Sequence, residues 1–413
     1  MKINIIGAGI SGIYAGYLLS KSNIEFEIFE ASERSGGRIY SWPIKNSNFV
    51  ELGAEVVYAP KAPLVRALNK LGDPIYSLCG ENYYSYQQQL LTHNNLSGFP
   101  LIEKLMKAFD NLEDYNDKEM SLLQYFQNQE YYTSDMASIV EAFACEYGTT
   151  ANNLGIKNLA FEENLWSGGD EEYYSHLPLQ RVSDYYKNKI KDSIRYNKII
   201  TKVSHSKENI VVTDQHGKEH VSDKAIISVN LGVLKAGDIQ FDPVLPPKKQ
   251  LAIDSIGIEA GMKVILLFSE RWWPENLLTL EGGELCSEFL ATRNYRLPAL
   301  TGFVMGNKVN FFKEMSDQKI GALLTKELDI IFRNKKASQS LTRIFLKNWG
   351  NDIFHKGAYS FPTTTSNGMR EVLAEPIDDK LFFMGEACNV NGHAASIHGA
   401  METAETICKK LTL

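Results

Sequence analysis

The sequence predicts an α/β protein in which a Rossmann-like dinucleotide-binding domain is interleaved with a second, α+β domain. Residues 2–29 open with a strand–helix–strand pattern. A glycine fingerprint sits at the first turn of that pattern, and strand signals return after a long helical excursion. The 413 residues also exceed the roughly 250–300 at which one hydrophobic core stops growing, so two domains are expected.

Residues 2–6 read as a short buried strand, 11–20 as a helix, and 24–29 as a second strand in which Ile24, Phe26 and Ile28 alternate with Glu25 and Glu27. From residue 101 the pattern turns helical. Met136, Ile139, Val140, Phe143 and Tyr147 fall at helical spacing, and Gly148 is a natural stop. Strands are expected again at 199–203, 210–213 and 225–229, with a turn at His216-Gly217. A second excursion carries strands at 262–268, 301–305 and 342–346 and a helix at 317–332. A final strand and helix lie within 380–413. These signals assign 1–76, 190–256 and 354–413 to the dinucleotide-binding domain and 77–189 and 257–353 to the other.

A 44% hydrophobic share with 23% charged residues is ordinary globular composition. Cys79, Cys145, Cys286, Cys388 and Cys408 are scattered and form no Cys-x-x-Cys pair, which argues against a disulfide framework and a zinc site, and no other metal site is expected. Met1-Lys2 runs directly into Ile3, leaving no room for a secretory signal, and no apolar stretch reaches the roughly 18 residues that span a bilayer. The expectation is a cytoplasmic protein without a membrane partner. A net charge of -7 with no basic stripe argues against nucleic acid. Within 101–180, four lysines face fifteen Asp plus Glu. That excess reads either as solvated helix faces or as a field that draws in cationic substrates.

Gly7-Ala8-Gly9-Ile10-Ser11-Gly12 lies between the first strand and helix, with Glu30 closing the second strand. In a dinucleotide fold such glycines allow a tight turn and close backbone approach, the helix N-terminus meets the diphosphate, and the acid grips a ribose. Arg34, Gly36, Gly37 and Arg38 follow, two cations beside two glycines, a composition suited to a diphosphate and to a permanently held cofactor.

With these residues the chain resembles the flavin-containing amine oxidase family, which includes monoamine oxidases, polyamine oxidases and lysine-specific histone demethylases. The resemblance continues through Glu51-Leu-Gly53-Ala54-Glu55, Ala225 to Leu234, Met262-Lys263 to Phe268, Trp272-Trp273, Phe382 to Ala387 and Ile397 to Ala400. It implies a GR2-type FAD-binding domain holding FAD non-covalently, oxidation of an amine carbon-nitrogen bond by hydride transfer, and oxygen as acceptor with hydrogen peroxide as product. It also implies that Ser11 and Arg38 serve the diphosphate, Glu30 the adenosine ribose and the backbone of Ile200 the adenine. Val56 and Ile397 would surround the flavin, Gly53 to Glu55 would run beneath its ring, and Gly385-Glu386 would meet the ribityl chain. Ala394, Ala395 and Ser396 are small enough to let backbone approach a flat ring, and a helix starting there would aim its positive end at the ring's pyrimidine edge.

Strand alternation puts Lys263 on one face with Ile265 and Leu267, an expensive place for an unpartnered ammonium. Position alone favours a snorkelling lysine, whereas the resemblance makes Lys263 the leading catalytic candidate, assisting reaction with oxygen. Ala358 stands where monoamine oxidases carry a flavin-linked cysteine, and Tyr359 remains as an electron-rich wall for an amine. Ser396 replaces a second cage tyrosine, and Tyr58 replaces the His or Glu of many polyamine oxidases. Trp272, Trp273 and Trp349 read as core, while Tyr83, Tyr84, Tyr86, Tyr173 and Tyr174 could line a channel or an interface.

The expected substrate is a cationic aliphatic amine, a polyamine or its acetylated form ahead of an aromatic monoamine, met by Glu162, Glu163, Asp170, Glu171 or Glu172. The alternative is an L-amino-acid oxidase, with Arg66 or Arg181 as the carboxylate partner, or another FAD oxidoreductase of the same fold such as a desaturase, and a non-catalytic flavin scaffold is a third reading.

Overall fold

The structure, a computed structural model, describes residues 1–412 except 46–47, 170, 207 and 294–296. Its first sheet is parallel, in the order Leu381–Phe383, Lys224–Ile227, Lys2–Ile6, Glu25–Phe29, Ile194–Arg195. Lys2–Ile6 is central and buried on both faces, which is why Ile3, Ile5 and Ile6 form a nearly continuous apolar run. Later strands add on one side as Glu25–Phe29 and Ile194–Arg195, and on the other as Lys224–Ile227 and Leu381–Phe383. The direction of strand addition therefore reverses beside Lys2–Ile6, and a crevice opens at the carboxyl ends of the strands there.

The helix Ile10–Lys21 is apolar on most of its surface because it is enclosed by this sheet, the helix Gln180–Lys187 and the C-terminal helix Ile397–Thr412. Gln180–Lys187 thus packs with the first sheet, although its sequence position grouped it with the second domain. The start of Ile10–Lys21 is fixed by close packing. A methyl on Gly12 would lie 2.0 Å from the Gly7 carbonyl oxygen, and one on Gly16 would meet Ile28, Phe26 and Ile190 at 2.8–3.0 Å.

The second sheet runs Leu341–Asn348, Gly261–Phe268, Ala299–Met305, Glu288–Leu290, Leu277–Glu281, Glu81–Tyr86, Gln89–Leu91. Gly261–Phe268 is buried along its whole length. One face packs Val264 and Leu266 into the core of its own sheet, and the other sets Ile265 and Leu267 against Phe49, Val50 and Leu52. Alternation puts Lys263 on that second face, where the chain leaving Leu52 turns through Gly53 to Glu55. Helices Pro100–Asp110, Leu122–Gln127, Ala137–Glu146 and Ile156–Leu165 share a separate core and form the expected helical insertion. A smaller sheet of Glu219–Ser222, Ile210–Asp214, Ile200–His205 and Gln240–Asp242 flanks the first. No helix among the described residues is long and apolar enough to cross a membrane.

Gly12→Ala should lower unfolding free energy by about 3 kcal/mol, because the added methyl meets backbone rather than a movable side chain. A wild-type urea midpoint in this variant would show that the turn can relax.

Candidate active site

The reversal point opens into a cavity of about 930 Å³ lined by both units. Gly7 adopts φ +105°, and a methyl there would lie 2.9 Å from the Ser228 carbonyl oxygen. At Gly9 the space a methyl would occupy is open to 4 Å, so this backbone lies bare to a ligand. The helix beginning at Ile10 has no side-chain cap, which leaves first-turn N–H groups directed at the cavity. Glu30 accepts from Ala8 N at 2.7 Å and from Ser32 N and Oγ at 2.9 and 2.7 Å, while its remaining lone pairs face the cavity. The Glu30 carbonyl also accepts from Lys198 N at 2.8 Å, which brings Lys198, Ile199 and Ile200 to the same wall. A bare glycine turn, an uncapped helix start and a fixed carboxylate fit the diphosphate and ribose of FAD.

The neighbouring wall is organised by Glu386. Its Oε1 accepts from Arg38 Nη1 at 2.8 Å, and its Oε2 from Ser360 Oγ at 2.6 Å and Ala395 N at 3.0 Å. Burial pushes its carboxyl up, but Arg38, the Ser360 hydroxyl and Arg370 outweigh this and hold it below the usual range. Arg38 Nη1 also donates to the Ala358 carbonyl at 2.7 Å. Ala358 offers no thiol. Cys388, which lines the cavity, is pushed up to about 12 by burial and stays a protonated, weak nucleophile.

Lys263 reaches the cavity from the second sheet. Its Nζ lies 2.5 Å from Glu55 Oε2 and donates to the Gly53 carbonyl at 2.9 Å. The buried lysine therefore has a partner that strand alternation alone did not identify.

Tyr359 lies against Gly148 and donates to the Glu146 carbonyl at 3.0 Å. Tyr58 meets the ring of Trp166 edge-on at 5.7 Å, and Glu172 lines the cavity with it. Burial raises both phenols well above their ordinary value, so the rings stay neutral. Burial likewise lowers His398 to about 4, leaving it uncharged near neutral pH. Glu281 and Glu288 stand opposite one another on adjacent strands, and Glu146 completes an acidic cluster with them. Burial pushes Glu281 up to about 7 and, together with Glu281 and Glu172, Glu288 up to about 8. Glu146, enclosed by protein but open to the cavity, is raised further by burial and by those two neighbours.

Gly7, Gly9, Ser11, Glu30, Gly37, Arg38, Gly53 to Val56, Tyr58, Ile200, Lys263, Tyr359, Gly385, Glu386 and Ala395 to Ile397 all line this cavity. Gly12 and Arg34 do not. Gly12 serves helix packing, and Arg34 binds the carbonyls of Ser35, Gly37 and Ile39 while lying 4.1 Å over Tyr40. Arg34 therefore braces the loop instead of facing a diphosphate. The Ser396 hydroxyl donates to the His393 carbonyl and accepts from Gly399 N, so it caps the last helix and is not free for substrate. Glu162, Glu163 and Glu172 line the cavity, as expected, with Glu162 paired to Arg370 at 2.7 Å, whereas Glu171 bonds Tyr173 away from the cavity. Asp170 lies outside the described residues. Arg66 pairs with Glu405 and Arg181 with Asp73, and neither lines the cavity. Tyr83, Tyr84, Tyr86, Tyr173 and Tyr174 are likewise absent from its walls. Trp273 and Trp349 are buried, and Trp349 borders the cavity while donating to the Leu52 carbonyl. Sequence reasoning missed Glu146, Tyr147 and Glu288. The signal for Glu288 was a charge at the head of the apolar strand Glu288–Leu290.

The family described as flavin containing amine oxidoreductase matches residues 10–412. Probable polyamine oxidase 4 of Arabidopsis thaliana is 30% identical over 443 residues, covering 97% of this chain and 84% of its own. Polyamine oxidase 2 of the same plant is 27% identical over 442 residues, with 97% and 86% covered. Among solved structures, wild-type putrescine oxidase bound to putrescine superposes with a TM-score of 0.84 at 19% identity, over 100% of this chain and 99% of that one. Cyclohexylamine oxidase from Brevibacterium oxydans IH-35A gives 0.84 at 16% identity, with 99% of each chain covered.

Acid precipitation should release the flavin into the supernatant, because Ala358 has no thiol to tether it. Yellow colour retained by the pellet would contradict this. Gly9→Ala should keep the wild-type urea midpoint yet weaken FAD binding by at least about tenfold, the reverse of the Gly12 pattern. Unchanged affinity would show that the cofactor passes elsewhere.

Proposed function

The chain belongs to the flavin containing amine oxidoreductase family, and we propose that it oxidises cationic aliphatic amines, a polyamine or its acetylated form ahead of an aromatic monoamine. It is an FAD-dependent amine oxidase. The observation that carries the substrate reading is the pair Glu146 and Glu288 on the cavity wall, with Glu281 opposite Glu288 on the adjacent strand but outside the lining, in a cavity whose other walls include Tyr58 and Tyr359. We propose oxygen as the acceptor, with hydrogen peroxide as product, in a reducing cytoplasmic setting that suits five free thiols.

FAD, when bound, supplies the acceptor for the hydride leaving the substrate's α-carbon. The chain supplies position and charge. Tyr58 and Tyr359 present electron-rich rings to an ammonium or to the imine product. The carboxylates concentrate a second cationic centre, which fixes the distance between that centre and the reacting carbon. Neutral His398 adds no opposing charge. An amino-acid substrate would need a free cation for its carboxylate. Among the described residues Arg38 is the one arginine lining the cavity, and it is held by Glu386 and the Ala358 carbonyl.

The test compares kcat/KM for spermidine, spermine, acetylated polyamines and benzylamine at low and high salt. Polyamines should be preferred and should weaken with salt, while benzylamine should respond little. A preference for benzylamine, or salt-independent polyamine turnover, would sink the substrate assignment and leave amine oxidation intact.

Dications bind the ionised carboxylates, so the polyamine-to-benzylamine ratio of kcat/KM should climb as pH rises through about 7 to 8. Glu288→Gln should flatten that climb and cut polyamine kcat/KM by more than about tenfold, with benzylamine changed less than about threefold. An equal loss for both substrates would assign Glu288 to structure.

A further inference from the structure

Lys263 and Glu55 are 4% and 5% exposed, and both line the cavity. Around Lys263 Nζ stand Glu55 Oε2 at 2.5 Å, the Gly53 carbonyl at 2.9 Å and the ring of Phe303 at 5.4 Å. Structural carboxylates in this protein are held by directed donors. Glu51 accepts from Leu179 N at 2.8 Å and Ser41 Oγ at 2.7 Å, and Glu386 accepts from Arg38, Ser360 and Ala395. Glu55 differs, because neither of its buried oxygens has a hydrogen-bond donor of good geometry. Among the described residues, the compensating partner is the charge of Lys263. A buried carboxylate that no directed donor holds among the described residues, set against the lysine of this wall, acts on what that lysine presents to the cavity.

We propose that Glu55 sets the electrostatic potential Lys263 presents to bound FAD, by holding the lysine in an internally neutral pair. The proposal rests on the FAD reading. Two-electron reduction of a flavin, when it takes up fewer than two protons, leaves negative charge on the ring. An unpaired cation nearby favours that reduced form, and a neutral pair does not. Glu55 is therefore a positioning residue that acts through Lys263 and holds the cofactor's reduction potential down. Glu51 lies behind the pair and interacts with both members, but its own donors fix it in place.

The test is a spectroelectrochemical titration of the holoenzyme near neutral pH. Glu55→Gln should raise the reduced-to-oxidised ratio at a fixed potential at least tenfold, a midpoint about 30 mV more positive for a two-electron couple. Glu55→Asp, which keeps the charge, should stay within about threefold of wild type. If the Gln variant does not retain FAD, Glu55→Ser replaces it, with the same expectation. An unchanged or lowered midpoint in the charge-removing variant, or Asp and uncharged variants shifting alike, overturns the proposal. A wild-type protein purified without flavin would instead defeat the FAD reading, before any titration begins.

Discussion

One buried carboxylate, Glu386, holds the catalytic half of the molecule in register. Its two oxygens gather Arg38 from the loop after the second strand, Ser360 from the chain beyond Tyr359, and Ala395 from the approach to the last helix. Arg370 extends the network by donating to Ser360 Oγ at 2.7 Å and pairing with Glu162 of the helical insertion at 2.7 Å. Segments more than 300 residues apart in the chain thus meet at one charge. Because Glu386 and Arg370 are buried, loss of a charged partner of either would leave a charge unpaired, a far larger penalty than loss of a surface bridge. The wall formed by Ala358 and Tyr359, the position of Arg38 and the start of the C-terminal helix all follow from that constraint.

A second constraint is geometric. The crevice beside Lys2–Ile6 exists because strands are added in opposite directions from it, and the second sheet closes the crevice by laying Gly261–Phe268 across Phe49 to Leu52. Parallel pairing on both sides demands apolar residues at Ile3, Ile5, Ile226 and Ile28, so polar chemistry is confined to the strand ends and to the facing sheet. This accounts for one cavity wall built from loops and helix starts, opposed by another built from strand and insertion side chains.

Most of the first wall was legible in the sequence because its signals are local. Gly7, Gly9 and Glu30 announce a turn, a bare backbone and a fixed acid by spacing alone, and the alternation around Lys263 named the correct face. What stayed hidden depends on which segments meet. Arg34 and Arg38 look equivalent in the chain, yet one is consumed by carbonyls of its own loop and the other reaches across to Ala358 and Glu386. Glu162, Glu163 and Glu172 do reach the cavity wall, but nothing in the sequence showed that Glu162 would be paired with Arg370 there. The acidic cluster draws Glu146 from a helix and Glu281 and Glu288 from facing strands. The cross-strand register sets Glu281 opposite Glu288, and packing of the helix Ala137–Glu146 on the sheet adds Glu146.

That cluster also ties folding to solution conditions. Burial lifts Glu281 to about 7 and Glu288 to about 8, whereas an unfolded chain would hold glutamates near about 4.3. Between those limits the folded protein binds more protons than the unfolded one, so the contribution of these groups to stability declines as pH rises through the folded values. A cationic guest that enters only the folded cavity offsets the decline by mass action. Stability of the fold is then coupled to occupancy of the cavity: a bound cation would offset what an alkaline medium takes away.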